Sequence, residues 1–165
     1  MNKQIINYEN YLNHISSICR DISLSDWRPD YIVGITRGGL LPAVMISQYF
    51  SIPMQSLDVS LSDGGACVSN LGMAEDAYEG KNILIVDDIN DRGATLNWIM
   101  ADWPSGCFPA DLKWDTVWNN NVRFAVVVDN LASQCRVGMD YVGMEVNKAE
   151  KYVWIEFPYE EWWSK

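Results

Sequence analysis

Positive charge is scarce in this chain: 12 Lys and Arg stand against 22 Asp and Glu, a formal net charge of -10. Nucleic-acid backbones are held by an excess of Lys and Arg, so the balance argues against a nucleic-acid partner. A small phosphorylated ligand remains open, because backbone N–H groups and a metal ion can bind one inside an acidic protein. Paired cysteines are lacking too. Cys19, Cys67, Cys107 and Cys135 stand far apart with no C-x-x-C spacing, which points to reduced thiols rather than zinc or a disulfide framework. No stretch approaches the roughly 18 to 20 apolar residues of a membrane span. The N-terminal MNKQIINYENYLNHISSICRDI has no apolar signal core. The expectation is a cytoplasmic protein without a membrane partner.

Aromatic residues are plentiful. Eight Trp and eight Tyr in 165 residues suggest packing, subunit contact or stacking on a ring-shaped ligand. The length suits one domain, residues 1–165. Tyr8, Leu12, Ile15, Cys19 and Ile22 recur every three or four residues, which predicts a helix over residues 8–22. Tyr31 to Ile35 reads as a buried strand, residues 36–39 as a turn, and residues 40–50 as a helix. A second strand is expected over residues 54–60. Residues 61–80 are rich in Gly, Ser and Asp without a clear period, and read as a lid loop or as disorder. Residues 81–86 form the strongest strand, followed by a helix over 93–101 and an irregular Trp-rich insertion over 103–121 with a short helix at 112–118. Further strands are expected at 122–128, 141–146 and 152–157. Strands alternating with helices predict an α/β fold with a parallel sheet, whose ligands sit beyond the carboxyl ends of the strands.

The chemistry concentrates in Ile83-Leu84-Ile85-Val86-Asp87-Asp88-Ile89-Asn90-Asp91-Arg92-Gly93-Ala94-Thr95-Leu96. A buried strand delivers two adjacent acids, and a short turn then opens a helix. Gly93 permits close backbone approach, while free N–H groups at the helix start suit a phosphate dianion. Thr95 adds a hydroxyl. Neighbouring carboxylates suit a vicinal diol or magnesium-bound waters. Two other classes end an apolar strand in Asp-Asp. A Walker B strand needs a G-x-x-x-x-G-K-[ST] loop, which is lacking here. A response-regulator receiver carries its acids at the first strand, whereas these stand at mid-chain behind earlier strands.

VDDINDRGATL resembles the phosphoribosyl-pyrophosphate motif of type I phosphoribosyltransferases. YIVGITRGGLLP is similar to the pyrophosphate loop of the xanthine-guanine and hypoxanthine-guanine branch, and YVWIEFPYEEW to its C-terminal base-binding segment. The likeness covers about residues 30–60, 80–100 and 122–162. It implies a single-domain type I fold: a twisted, mainly parallel sheet between helices, a flexible lid over about 61–80, and a small base-binding hood over about 141–162. It also implies transfer of the 5-phosphoribosyl group from phosphoribosyl pyrophosphate to a purine base, as in purine salvage, with Mg2+ as cofactor and a homodimer or higher homo-oligomer. By this resemblance Asp87, Asp88 and Asp91 are catalytic. Asp87 and Asp88 face the ribose hydroxyls and the magnesium, and Asp91 exchanges a proton near the purine N7. Residues 91–95 (Asp91, Arg92, Gly93, Ala94, Thr95) cradle the 5′-phosphate, with Arg92 adding charge or pointing to solvent. Thr36, Arg37 and Gly38 bind pyrophosphate, and Thr36–Arg37 is a candidate cis peptide. Trp154 stacks on the base beside the main chain of Ile155, and Glu160 helps to hold magnesium.

Two departures mark this chain. Purine enzymes of the family place a Lys at the end of the strand matching residues 122–128, where this chain has Asp129-Asn130. Asp129 and Asn130 are therefore candidate base-binding groups, which favours an aminopurine or makes Asn130 the donor to an oxo group. Lys148, Lys151 or Arg136 are possible substitutes for the missing cation. The lid also lacks the Ser-Tyr pair of relatives, reading Ser60-Leu61-Ser62-Asp63. These gaps leave a second reading, a non-catalytic sensor or regulator that binds phosphoribosyl pyrophosphate. An orotate- or uracil-type specificity fits the purine-like C-terminal segment less well.

Overall fold

The computed structural model describes residues 2–59, 61, 70–107 and 111–165. Its centre is a five-stranded parallel sheet in the order β3-β2-β4-β5-β6. The strands are β2 (Tyr31–Thr36), β3 (Met54–Asp58), β4 (Ile83–Asn90), β5 (Val122–Asn130) and β6 (Tyr141–Val146). A parallel sheet is covered on both faces, so its strands read as continuous apolar runs. β4 shows how the pleat divides them. Ile83 and Ile85 enter one core, and Leu84 and Val86 enter the other.

Helices α1 (Tyr8–Leu24) and α2 (Leu40–Phe50) cover the second of these faces. α1 starts where the Asn7 side chain accepts the Asn10 N–H at 2.8 Å, and it buries Tyr11, Ile15, Ile18 and Ile22 at helical spacing. The opposite face is covered by α3 (Leu71–Tyr78) and α4 (Ala94–Gly106). Because β2 runs on to β3 on one side while β4 runs on to β5 and β6 on the other, the chain direction switches between β2 and β4. Such a switch opens a cleft at the carboxyl ends of the strands.

Several expectations need correction. Residues 71–78 form a helix rather than loop. Asn70 caps it by accepting the Met73 N–H at 2.9 Å, and Met73, Ala74 and Ala77 are buried. The remainder of the expected lid, residues 62–69 with Ser60, lies outside the described residues. β4 continues to Asn90, so Asp87 and Asp88 belong to the strand itself. Within the irregular insertion expected over 103–121, Trp103, Trp114 and Trp118 are buried. Trp103 closes α4, Trp114 and Trp118 stack with ring centroids 5.7 Å apart, and Trp118 stacks on Phe124 of β5 at 6.2 Å.

The hood is also drawn differently. β6 is the edge of the main sheet, whereas the hood pairs β1 (Lys3–Ile5) with β7 (Trp154–Glu156) in parallel. β1 escaped notice because it is three residues long and exposed along its length. Glu156, 6% exposed, ties this unit together, taking Lys3 at 2.7 Å and Lys165 at 3.5 Å.

Removing the Trp103 ring, which is 1% exposed, should cost about 3–5 kcal/mol, measurable as the loss in unfolding free energy of Trp103→Ala in urea. The Lys3 hydrogen bond and charge hold the Glu156 carboxyl below its usual range. Its contribution to the hood is therefore complete above the ordinary glutamate value of about 4.3, and is lost as pH falls through the lower folded value. Tryptophan fluorescence followed on acidification should show the hood loosening in that acidic window, and Glu156→Gln should remove the transition.

Candidate active site

The tip of β4 carries the acids. Asp87 Oδ1 accepts the Asp88 N–H at 2.8 Å, and Asp88 Oδ1 accepts the Ile89 N–H at 2.7 Å, so each carboxylate is fixed by the next backbone amide. The other Asp88 oxygen accepts the Tyr159 hydroxyl at 2.8 Å. Burial first, and then the charge of Asp88, push the Asp87 carboxyl well above its usual range. Glu160 is pushed up by burial, then by Asp88 and Glu156. Among the described residues no Lys or Arg pairs with Asp87 or Asp88.

The β2–α2 turn lies beside this pair, and its Thr36–Arg37 peptide is cis, as the resemblance suggested. The Thr36 hydroxyl donates to Asp58 at 2.8 Å. Gly38 has a steric reason. A Cβ there would fall 2.0 Å from Asp88 Oδ2, so the carboxylate rests directly on the loop. The turn and the acids therefore form one wall.

Gly93 begins α4 in the left-handed region, with φ 85°. A Cβ would meet Cys135 N at 2.3 Å, because residues 133–136 pack over the turn. Asn97 holds that segment by donating to Gln134 O at 3.0 Å and accepting the Arg136 N–H at 2.8 Å. The helix start has no side-chain cap, which leaves its first N–H groups to a ligand.

Two cavities meet over the β4 tip. The larger, about 1200 Å³, takes in Thr36, Arg37, Gly38, Asp87, Asp88, Glu160 and Trp163. The smaller, about 510 Å³, follows the backbone from Asp91 to Thr95. Asp87, Asp88, Thr95 and Trp154 line both. Trp154 is 44% exposed and offers its ring to the cleft.

Not every expected residue reaches this cleft. The Ile155 side chain is buried in the core, and the residue, whose main chain was expected beside the base, lines neither cavity. Asp129 and Asn130, expected at the base, line neither cavity. Asp129 accepts the Asn90 amide at 2.8 Å. Asn130 donates to Asp91 O at 2.8 Å and accepts the Lys148 N–H at 3.0 Å, spending both ends of its amide on main chain. This clamp brings Lys148 beside Asp91, where Nζ lies 2.8 Å from Oδ1 and 5.6 Å from the Tyr152 ring centroid. Tyr159 went unnoticed in the sequence, since one Tyr in an aromatic-rich tail carries no distinguishing spacing.

Among the described residues, no three His, Cys, Asp or Glu side chains converge to hold a metal, so Asp87, Asp88 and Glu160 are not a ready-made cage. Magnesium does not need one. It commonly takes one or two carboxylates and completes its shell with phosphate oxygens and water. Two carboxylates that lack a cationic partner among the described residues and line the cleft beside the α4 start fit that mode.

The model of the phosphoribosyl transferase domain family matches residues 1–162. The xanthine phosphoribosyltransferase 1 of Saccharomyces cerevisiae is 27% identical over 124 residues, covering 61% of this chain and 59% of that protein. The xanthine-guanine phosphoribosyltransferase of Roseobacter denitrificans is 33% identical over 117 residues, covering 58% and 66%. The purine phosphoribosyltransferase structure from Pyrococcus horikoshii superposes with a TM-score of 0.69 at 25% identity, covering 98% of this chain and 96% of that one. The matched regions span about half to two thirds of the length of the curated relatives. With the family model covering nearly its whole length, the chain belongs to the phosphoribosyl transferase domain family.

Proposed function

We propose that this protein transfers the 5-phosphoribosyl group from phosphoribosyl pyrophosphate to a 6-oxopurine, giving a nucleoside monophosphate and pyrophosphate. The observation that carries the reading is the meeting of two cavities over Asp87 and Asp88. One offers the loop at Thr36, Arg37 and Gly38 to a pyrophosphate, and the other offers the α4 start to a 5′-phosphate. A ribose between them meets the acids with its hydroxyls.

The choice of base rests on Lys148. On a purine, N7 and the 6-substituent share one edge, and an oxo group there is an acceptor where an amino group is a donor. An ammonium 2.8 Å from the carboxylate assigned to N7 suits the oxo form. Asp129 and Asn130, the groups that would favour an aminopurine, hydrogen-bond to Asn90 and to the main chain of Asp91, and line neither cavity. Trp154 supplies a face for the ring.

In this reading the C1–oxygen bond to pyrophosphate breaks and its electron pair leaves with the pyrophosphate. A nitrogen lone pair of the base forms the new bond to C1, and the proton that the base gives up at N7 passes to Asp91. Asp87 and Asp88 would hold magnesium, which neutralises charge on the leaving group. The residues around the donor keep it aligned and limit hydrolysis of the sugar.

Pyrophosphate release measured with guanine, hypoxanthine, xanthine and adenine is the primary test. Turnover with the three oxopurines, none with adenine, and loss of turnover on chelating magnesium are expected. Binding of phosphoribosyl pyrophosphate without release for any base would instead mark a sensor. Asp91→Asn should lower kcat by about 10²–10⁴-fold while donor binding persists. An equal loss of donor affinity would remove Asp91 from the proton-transfer step.

A further inference from the structure

The C-terminal hood reaches the acidic strand tip through one hydroxyl. Tyr159 donates from its phenol to Asp88 Oδ2 at 2.8 Å, and no other hydrogen bond joins a hood side chain to Asp87 or Asp88 among the described residues. Its ring is held firmly. It stacks on Phe157 with centroids 5.5 Å apart and planes 1° from parallel, and it meets Tyr11 of α1 edge-on at 6.3 Å. Phe157 meets the same Tyr11 edge-on at 6.3 Å. Tyr11 is fully buried, and its own hydroxyl has no partner among the described residues. The three rings therefore form a rigid mount in which one phenol, that of Tyr159, is satisfied by the site.

Asp88 needs such a mount. It has a like charge next to it in Asp87, and among the described residues its Oδ1 takes a hydrogen bond from the amide of the following residue alone. Its Oδ2 rests on Gly38, so a rotation of the carboxylate would push into the loop at Thr36, Arg37 and Gly38. A hydroxyl donor on Oδ2 stops that rotation while leaving further lone pairs on the oxygen for a ligand.

We propose that Tyr159 is a positioning residue whose phenol locks Asp88 to the hood, so that the acidic strand tip and the Trp154-bearing hood take up the ribosyl donor as one rigid unit. The donor named here rests on the function proposed above, whereas the lock itself exists in the unliganded protein. Hood and acids would otherwise be ordered separately on binding, at a cost in affinity.

Tyr159→Phe keeps the stacked rings and removes one hydroxyl. Phosphoribosyl pyrophosphate with magnesium is titrated into the wild type and this variant, followed by tryptophan fluorescence. Hydrogen exchange of residues 154–160 is measured in both proteins without ligand. A hydrogen bond to a charged group predicts a Kd raised about tenfold or more, with faster exchange in the hood and a near-normal melting temperature. Asp88→Ala removes the same bond from the other side and should speed hood exchange equally, and adding Tyr159→Phe to it should have no further effect. Additive effects would indicate a merely structural tyrosine and overturn the proposal, as would an unchanged or tighter Kd. Failure of the wild type to bind the donor would count against the proposed function, and hood exchange would then decide the lock alone: equal rates in wild type and Tyr159→Phe would refute it. If Tyr159→Phe does not fold, hood exchange in Asp88→Ala decides in its place, and a rate equal to that of the wild type would refute the lock.

Discussion

Two carboxylates of like charge stand side by side at the end of the central strand, and much of the molecule serves to keep them there. Such a pair is unfavourable by itself, which is why burial and the neighbouring charge push Asp87 upward. β4 can hold them because it is hydrogen-bonded on both sides, to β2 and to β5, and is buried along its apolar half. Backbone amides from Asp88 and Ile89 fix one oxygen of each acid. Gly38 makes room for Asp88, and Tyr159 holds its remaining oxygen. Take away the rigid strand, and the charges would swing apart into water.

The surroundings are arranged to make that charge useful. The α4 start carries N–H groups without a side-chain cap, and Gly93 can occupy its turn only because it has no Cβ to strike Cys135. N–H groups without a side-chain cap thus stand within a few residues of two carboxylates. A second polar network lies behind them. Asn90, Asp129, Asn130 and Lys148 link the tips of β4, β5 and the segment after β6, and they set Asp91 against a cation.

What the sequence made legible was local. Strand, paired acids, glycine and threonine fall within fourteen consecutive residues from Ile83 to Leu96, so their arrangement is set by neighbours in the chain. The apolar runs of β2, β4 and β5 likewise announced a buried parallel sheet. Features built from distant residues stayed hidden. Asn130 looked free to meet a base, and only the fold shows its amide consumed by Asp91 and Lys148 backbone. The Trp-rich segment read as an irregular insertion, yet Trp103 and Trp114 both meet Trp118, which in turn stacks on Phe124 from a distant strand. Helix α3 is short, and its buried Met73, Ala74 and Ala77 are too small a stripe to stand out beside Gly and Ser.

The central claim is that the β4 acids and the α4 start together hold one ribosyl donor. A crystal structure of the protein with phosphoribosyl pyrophosphate and magnesium tests it most directly. The account predicts the 5′-phosphate on the backbone of residues 91–95 and the ribose hydroxyls on Asp87 and Asp88, with the pyrophosphate toward Arg37 and Gly38. A donor bound elsewhere, or one whose phosphate leaves the α4 start unoccupied, would contradict it.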